Sequence, residues 1–294
     1  MAVWWMRKTG ELEQAESLDR MVDAVTAVVA RVLPPGRVKD SLHGTWLGHA
    51  VHPLLVALPI GMFSGATLLD LTGGRESRTA ARRLVGAGVL LVAPTAATGF
   101  ADWSALGAFR QPRRVGLVHA AANAVTAAVY AASWWARVRG DHARGRRLAL
   151  AGALGLSVGG YLGGHLAYSE GVAVNRNADR SPAPTEWTDA AAASDVVPGE
   201  LHSVEVEGQP VVLARQGEDV LAIGAVCSHY GGPLADGELT GGSGGVDGGA
   251  CVVCPWHGSV FRMSDGSVVR GPATAPQPAF EVRVVGDRVQ IRAA

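Results

Sequence analysis

Residues 251–261 read CVVCPWHGSVF, and with CSHYGGPL at 227–234 they hold all three cysteines of the chain. Each stretch sets a histidine close behind a cysteine: Cys227-Ser-His229 and Cys254-Pro-Trp-His257, with 24 residues between His229 and Cys254. Two loops, each offering a thiolate and an imidazole, make a four-ligand pocket. Mononuclear zinc accepts that set. So does a [2Fe–2S] centre with two cysteines on one iron and two histidines on the other. Three cysteines do not make a disulfide framework, so metal or redox chemistry is expected. Cys251 falls in the alternating run ACVVC and is expected to be a small core residue. A redox C-x-x-C pair with Cys254 would need a helix N-terminus to lower a thiol pKa, and this run offers none.

The ligand stretches sit among short alternating runs. HSVEVEG, QPVVLAR, DVLAIGAV, GSVFRM, AFEVRVV and DRVQIR are punctuated by Gly, Asp and Pro. Such alternation predicts strands, with Asp265–Gly266 as a hairpin turn. From about Trp187 to Ala294 the chain therefore reads as a small all-β domain.

Taken with DGSVVRGPA at 265–273, the two stretches strongly resemble the Rieske iron–sulfur family over roughly the last hundred residues. The resemblance favours the [2Fe–2S] cluster over zinc. It implies Cys227 and Cys254 on the inner iron, His229 and His257 on the outer, more exposed iron, and Gly271–Pro272 in a covering loop. It also implies a hydrogen bond from Ser259 to the cluster. High-potential members join an extra cysteine in each loop as a disulfide; this chain has Gly232 and Trp256 there. They also follow the serine with a tyrosine, where this chain has Phe261. Fewer donors stabilise the reduced cluster less, so the potential is expected in the lower part of the roughly −150 to +300 mV Rieske range. The spacer GGSGGVDGG at 241–249 is long for the family, and six glycines in nine residues predict a flexible surface loop.

The other half of the chain is built differently. Leu54–Leu71, Leu84–Phe100, Val115–Trp135 and Leu148–Tyr168 are almost free of charge and 17 to 21 residues long. That length crosses a ~30 Å hydrocarbon core at ~1.5 Å per residue. A soluble bundle would need polar residues every third or fourth position. HAVHPLLVALPIGMFSGATLLDL, 49–71, also resembles an uncharacterised four-span bacterial membrane family covering roughly residues 45–170. Trp103, Trp134 and Trp135 fall at span ends, where indoles favour the interface. Gly155, Gly159 and Gly163 share a register that lets helix backbones approach closely. Charged residues are 18 % of the 294 and the formal net charge is zero, which leaves no footprint for nucleic acid. MAVWWMRKTGE turns acidic before an apolar core develops, so no cleavable signal peptide is expected.

The expected fold is thus an N-terminal all-α transmembrane four-helix bundle followed by a C-terminal all-β Rieske iron–sulfur domain. Residues 1–48 form an amphipathic juxtamembrane segment, 49–170 the four-span domain, 171–190 a linker and 191–294 the cluster domain. His49 and His52 open the first span, and His119 and His165 lie in the third and fourth. Back-and-forth threading gathers these histidines, with Asp102 and Trp103, at one membrane face. Intramembrane ionisable residues are functional candidates. A pair from His52, His119 and His165 suits a b-type haem, the wall of a quinone pocket, or hydrogen bonding across helices; the residues leave all three open.

Four arginines in 72–83 and five in 136–147 place those loops in the cytoplasm of a multi-pass plasma-membrane protein. This leans the Rieske domain outward, assembly of the cluster in the cytoplasm weighs against that side, and the two arguments leave the side undecided. The paired arginines of GRRLALAG are a weak twin-arginine signal. The expected function is membrane-anchored electron transfer, passing single electrons to or from a redox partner protein or a quinone. The chain would be an oxidoreductase component rather than a complete enzyme. A redox sensor or assembly protein, or a subunit of a quinol-oxidising complex, are the alternatives. A Rieske oxygenase needs a further non-haem iron site in a large catalytic domain, for which the β region has no room.

Overall fold

The computed structural model of the chain describes residues 4–179, 183–241 and 249–294. The expected flexible loop falls largely on 242–248, outside the described residues. Seven α-helices are described: α1 Trp4–Glu13, α2 Asp19–Val32, α3 Arg37–His43, α4 Val51–Thr72, α5 Arg78–Ser104, α6 Arg110–Val138 and α7 His142–Tyr168. Two compact units emerge, each drawn from two stretches of chain. Met1–Pro34 and Val51–Val172 form a helical unit; Pro35–Ala50 and Ala173–Ala294 form a second, mostly β unit. Residues 1–48 are thereby divided between them, and α3 belongs to the second.

In the helical unit α4, α5 and α6 are long and apolar enough to cross a membrane. The fourth expected span, α7, has 27 residues, but glycines and His165 dilute its apolar run, and it does not meet the same measure of hydropathy. The glycines serve packing instead. Gly152, Gly155, Gly159 and Gly163 lie in antiparallel order against Tyr130, Thr126, Asn123 and His119 of α6. A Cβ on any of the first three would meet those side chains at 2.3–2.8 Å. Small residues thus let the two backbones approach, as the register predicts.

Charged residues also join these helices. Arg137 of α6 grips Asp70 of α4 bidentately, with Nη1 at 2.9 Å from Oδ1 and Nη2 against Oδ2. Arg137 is only 1 % exposed, and its Nε donates to Ser133 Oγ at 3.2 Å. Arg114 holds Asp19 of α2 at 2.7 and 2.8 Å, and Arg110 holds Asp23 at 2.6 Å. Trp103 departs from its expected place at the interface. It is buried and donates Nε1–H to Arg113 O at 3.0 Å, whereas Trp134 and Trp135 remain exposed. An indole N–H with a carbonyl in reach can be buried without losing its hydrogen bond.

Ten strands are described in the second unit: β1 Thr188–Ala192, β2 Leu201–Val206, β3 Gln209–Gln216, β4 Asp219–Gly224, β5 Glu238–Thr240, β6 Cys251–Val253, β7 Val260–Arg262, β8 Val268–Arg270, β9 Ala279–Val285 and β10 Arg288–Ala293. One sheet runs β1-β10-β9-β4-β3-β2 and a smaller one β5-β6-β7-β8. The Asp265–Gly266 turn forms as expected between β7 and β8: Gly266 has φ +69° and Ser267 N–H donates to Asp265 Oδ1 at 2.9 Å. β1 straddles the end of the stretch expected as linker, its first three residues lying inside it. Its alanines carry little strand propensity, and pairing with β10 holds it extended. The two cysteine–histidine stretches frame the smaller sheet: the first lies on the path from β4 of the larger sheet into β5, and the second joins β6 to β7.

Candidate metal centre

Cys227–His229 follows β4, and Cys254–His257 bridges β6 and β7. The two loops are folded by the same hydrogen bonds. In the first, Gly231 N–H donates to Cys227 O at 2.9 Å, and Cys227 N–H donates to Gly232 O at 2.8 Å. In the second, Gly258 N–H donates to Cys254 O at 3.0 Å, and Cys254 N–H donates to Ser259 O at 2.8 Å. Gly231 and Gly258 have φ of +82° and +74°, the left-handed region where a Cβ is costly. The shared pattern is Cys-x-x-x-Gly. That repeat stands in the sequence and was the unused signal for both turns.

These turns send sulfur inward and imidazole outward. Cys227 and Cys254 are about 2 % exposed or less and belong to a core with Leu234, Phe261 and Met263. His229 and His257 are partly exposed, with ring centroids 5.0 Å apart and planes at 89°. His229 Nδ1 is buried and has no hydrogen-bond partner. A polar atom in that state is costly unless something completes it. Burial first, then His257, His43 and Arg176, holds the His229 imidazole down at about 3, so the ring is neutral with a lone pair to give. A hydrogen bond from Cys227, with backbone N–H groups of Trp256 and His257, brings Cys254 down to about 6. The same bond and burial push Cys227 up. Of the two sulfurs, Cys254 is the one favoured as thiolate.

Other residues close the site. Gly232 lies against Trp256: a Cβ there would sit 2.9 Å from Cys254 Sγ and 3.1 Å from the indole. The two positions at which the resemblance places an extra disulfide are thus neighbours, filled by an aromatic ring over a bare backbone. Ser259 is fully buried, and its Oγ accepts from Ala273 N–H at 3.0 Å, which leaves its own proton to donate. Ser228 Oγ donates to Ala275 O at 2.7 Å. The 271–275 segment is tied to both loops by these bonds. Phe261 is fully buried in the core, and Cys251 is buried on β6, opposite Thr240 and Arg262. Part of the 171–190 stretch is also engaged: Arg176 N–H donates to Ser228 O at 2.9 Å, Asn177 Nδ2 to Val226 O at 2.9 Å, and the Arg176 guanidinium lies 4.7 Å from the Tyr230 ring centroid. Sequence patterning did not single out Arg176 or Asn177.

The membrane histidines are each committed. His52 Nδ1 donates to Thr95 O at 3.0 Å, and His119 Nδ1 to Gly159 O at 3.0 Å. The Asn123 amide lies against the His119 ring. His165 Nε2 sits 2.7 Å from Glu13 Oε1 and 3.8 Å from Glu170 Oε1. His49 is exposed and belongs to the second unit, its Nδ1 facing Ala50 O at 2.9 Å. Glu13 and Glu170, which sequence patterning passed over, thus pair with one of the predicted residues.

Residues 186–281 match the Rieske [2Fe–2S] domain family, and residues 48–176 match the family described as Predicted membrane protein (DUF2231). The Ferredoxin CarAc of Metapseudomonas resinovorans is 31 % identical over 106 residues, covering 36 % of this chain and 92 % of that protein. Apoptosis-inducing factor 3 of Homo sapiens is 31 % identical over 115 residues, 38 % of this chain, which spans only 18 % of that longer protein. Among solved structures, the ferredoxin of carbazole 1,9a-dioxygenase from Nocardioides aromaticivorans IC177 aligns with a TM-score of 0.33 and 25 % identity, over 37 % of this chain and 98 % of that one.

Proposed function

The chain belongs to the Rieske [2Fe–2S] family, and we propose that it is a membrane-anchored carrier of single electrons. The observation that carries this reading is the pair of equivalent loops, each holding a buried cysteine and a more exposed histidine. Cys227 and Cys254 would hold one iron, and His229 and His257 the other. The unpartnered Nδ1 of His229 and the buried thiol pair, with Cys254 shifted toward thiolate, fit that donor set. A bound cluster accepts and returns one electron. The protein's own part is to bury the sulfur end, keep the His229 imidazole neutral, hold both imidazoles near solvent, and offer the Ser259 hydroxyl. A histidine edge near the surface suits exchange with a partner at short range. Ferredoxin CarAc, by its name, is such a carrier.

The helical unit supplies the anchor. α7 is long enough to be a fourth span, at 27 residues and ~1.5 Å each. Four spans would bring both ends of the helical unit to one side, and the arginine-rich connections at 72–83 and 136–147 favour the opposite side as the cytoplasmic one. Tethering confines the search for a partner to a thin layer and raises its effective concentration.

A second reading, electron exchange with a quinone, is favoured by one feature. A cavity of about 500 Å³ in the helical unit is lined by Glu13, Tyr161 and His165. That volume falls within the usual range for a small-molecule site. Haem is not part of the proposal, since His165 Nε2 already faces Glu13 and the comparisons lend haem no support.

An anaerobic redox titration of the detergent-purified chain, followed by electron paramagnetic resonance, tests the carrier. The expected result is one reversible one-electron step with a signal only in the reduced state. A chain that takes up no electron, or only two together, overturns it.

A further inference from the structure

The 271–275 segment, which is hydrogen-bonded to both ligand loops, is tied at three points rather than two. Ser259 holds Ala273 N–H and Ser228 holds Ala275 O. The third tie comes from 231 residues earlier in the chain: Asp40 Oδ1 accepts from Gly271 N–H at 3.0 Å. Asp40 lies on α3, outside both family matches, which begin at residues 48 and 186. It does not act alone. A Cβ on Gly271 would lie 3.2 Å from His43 Cδ2, 3.3 Å from Thr45 Cγ2 and 3.4 Å from Asp40 Oδ1. Three residues of one short segment therefore box in a single glycine.

The segment is itself well ordered for this task. Gly44, at φ +95°, ends α3 by donating its N–H to Asp40 O at 3.0 Å, and Thr45 Oγ1 donates to the same carbonyl at 3.2 Å. That turn fixes the Asp40 backbone while the side chain reaches Gly271. His43 is 2 % exposed, packed inside the β unit rather than displayed to solvent. A charge-assisted hydrogen bond from a carboxylate to a backbone N–H is about twice as strong as a neutral one.

We infer that Asp40 is a positioning residue of the cluster site, fixing the 271–275 segment over the ligand loops from a stretch of chain that precedes the membrane helices. The inference rests on the reading that the site holds a [2Fe–2S] cluster. Asp40 touches neither cysteine nor histidine ligand in this role; it acts through Gly271. The closing segment is then complete only when residues 35–50 are present. Cluster retention becomes a property of the full chain rather than of residues 186–281 alone.

The test compares full-length wild type with Asp40→Ala and Asp40→Asn in detergent. Peptide-resolved hydrogen exchange over 268–275 reads the tie directly. Loss of cluster absorbance in excess chelator reads its consequence. Asp40→Ala is expected to speed exchange at Gly271 at least tenfold and cluster loss several-fold. Asp40→Asn keeps an acceptor oxygen without the charge, and both readouts are expected to fall between wild type and Asp40→Ala. Wild-type exchange in Asp40→Ala, or Asp40→Asn as impaired as Asp40→Ala, overturns the inference. Should Asp40→Ala fail to accumulate, Asp40→Asn still decides, because exchange at Gly271 at least tenfold faster than wild type in that variant contradicts the bond as the cause. If wild type contains no acid-labile sulfide, the carrier reading fails, yet exchange at Gly271 still reports on Asp40 separately.

Discussion

Gly231 and Gly258 are the same residue of the same turn, built twice. Each lies four positions after a cysteine, donates its N–H to that cysteine's carbonyl and adopts a left-handed backbone. Open space surrounds the missing Cβ in both cases, so alanine there carries only the backbone penalty. Gly231→Ala and Gly258→Ala are each expected to destabilise the β unit by about 1–2 kcal/mol. Gly266→Ala should cost more, because its Cβ would also lie 2.2 Å from Gln277 O. Thermal unfolding of the three variants checks both the size and the order.

Ser259 and Phe261 set opposite expectations for the reduction potential. Ser259 is fully buried and accepts from Ala273 N–H, which leaves its hydroxyl proton to donate, and the buried Phe261 stands where the family resemblance implies a tyrosine. A hydrogen bond to a charged group contributes roughly 1.5–3 kcal/mol, and ~1.4 kcal/mol corresponds to ~59 mV for one electron. Ser259→Ala is therefore expected to lower the midpoint by roughly 60–120 mV, and Phe261→Tyr to raise it by a similar order. Equilibrium titrations of the two variants against wild type read the sign.

Cluster-free protein should lose stability on mild acidification. In the folded chain burial and its neighbours keep His229 unprotonated down to about 3. The unfolded chain takes up that proton near pH 6.5. Between those values the unfolded state binds more protons, so stability is full above about 6.5 and falls as pH drops toward 3, by at most ~1.4 kcal/mol per unit from this one group. Urea midpoints at pH 7.5 and pH 5 measure the loss. His229→Asn should flatten it.

Asp70 and Arg137 give the helical unit its own test. Asp70→Asn leaves a guanidinium 1 % exposed with half of its bidentate partner gone. Breaking one side of a buried pair costs about 3–5 kcal/mol. Unfolding in mixed detergent micelles should shift accordingly, while the cluster spectrum of the separate β unit stays unchanged.

The sequence made the site far more legible than its setting. Cys227, His229, Cys254 and His257 stand close together in two short stretches, and alternation marks most strands around them. Contacts that span long separations left no such mark. Asp70 is one acid in an apolar run, and its partner lies 67 residues on. Glu13 meets His165 across 152 residues, and Asp40 meets Gly271 across 231. Neither amphipathic period nor motif spacing records those distances. The α7 glycines were legible as a packing face, but the same residues dilute the hydropathy that would mark a span. β1 was hidden because its strand conformation comes from pairing with β10 and not from its alanines.

The most direct test of the electron-carrier account is the metal and sulfide content of the full chain, purified from membranes without oxygen. The account predicts about two iron and about two acid-labile sulfide per chain, lost together when Cys227 or Cys254 is replaced by serine. One zinc per chain with no labile sulfide would contradict it.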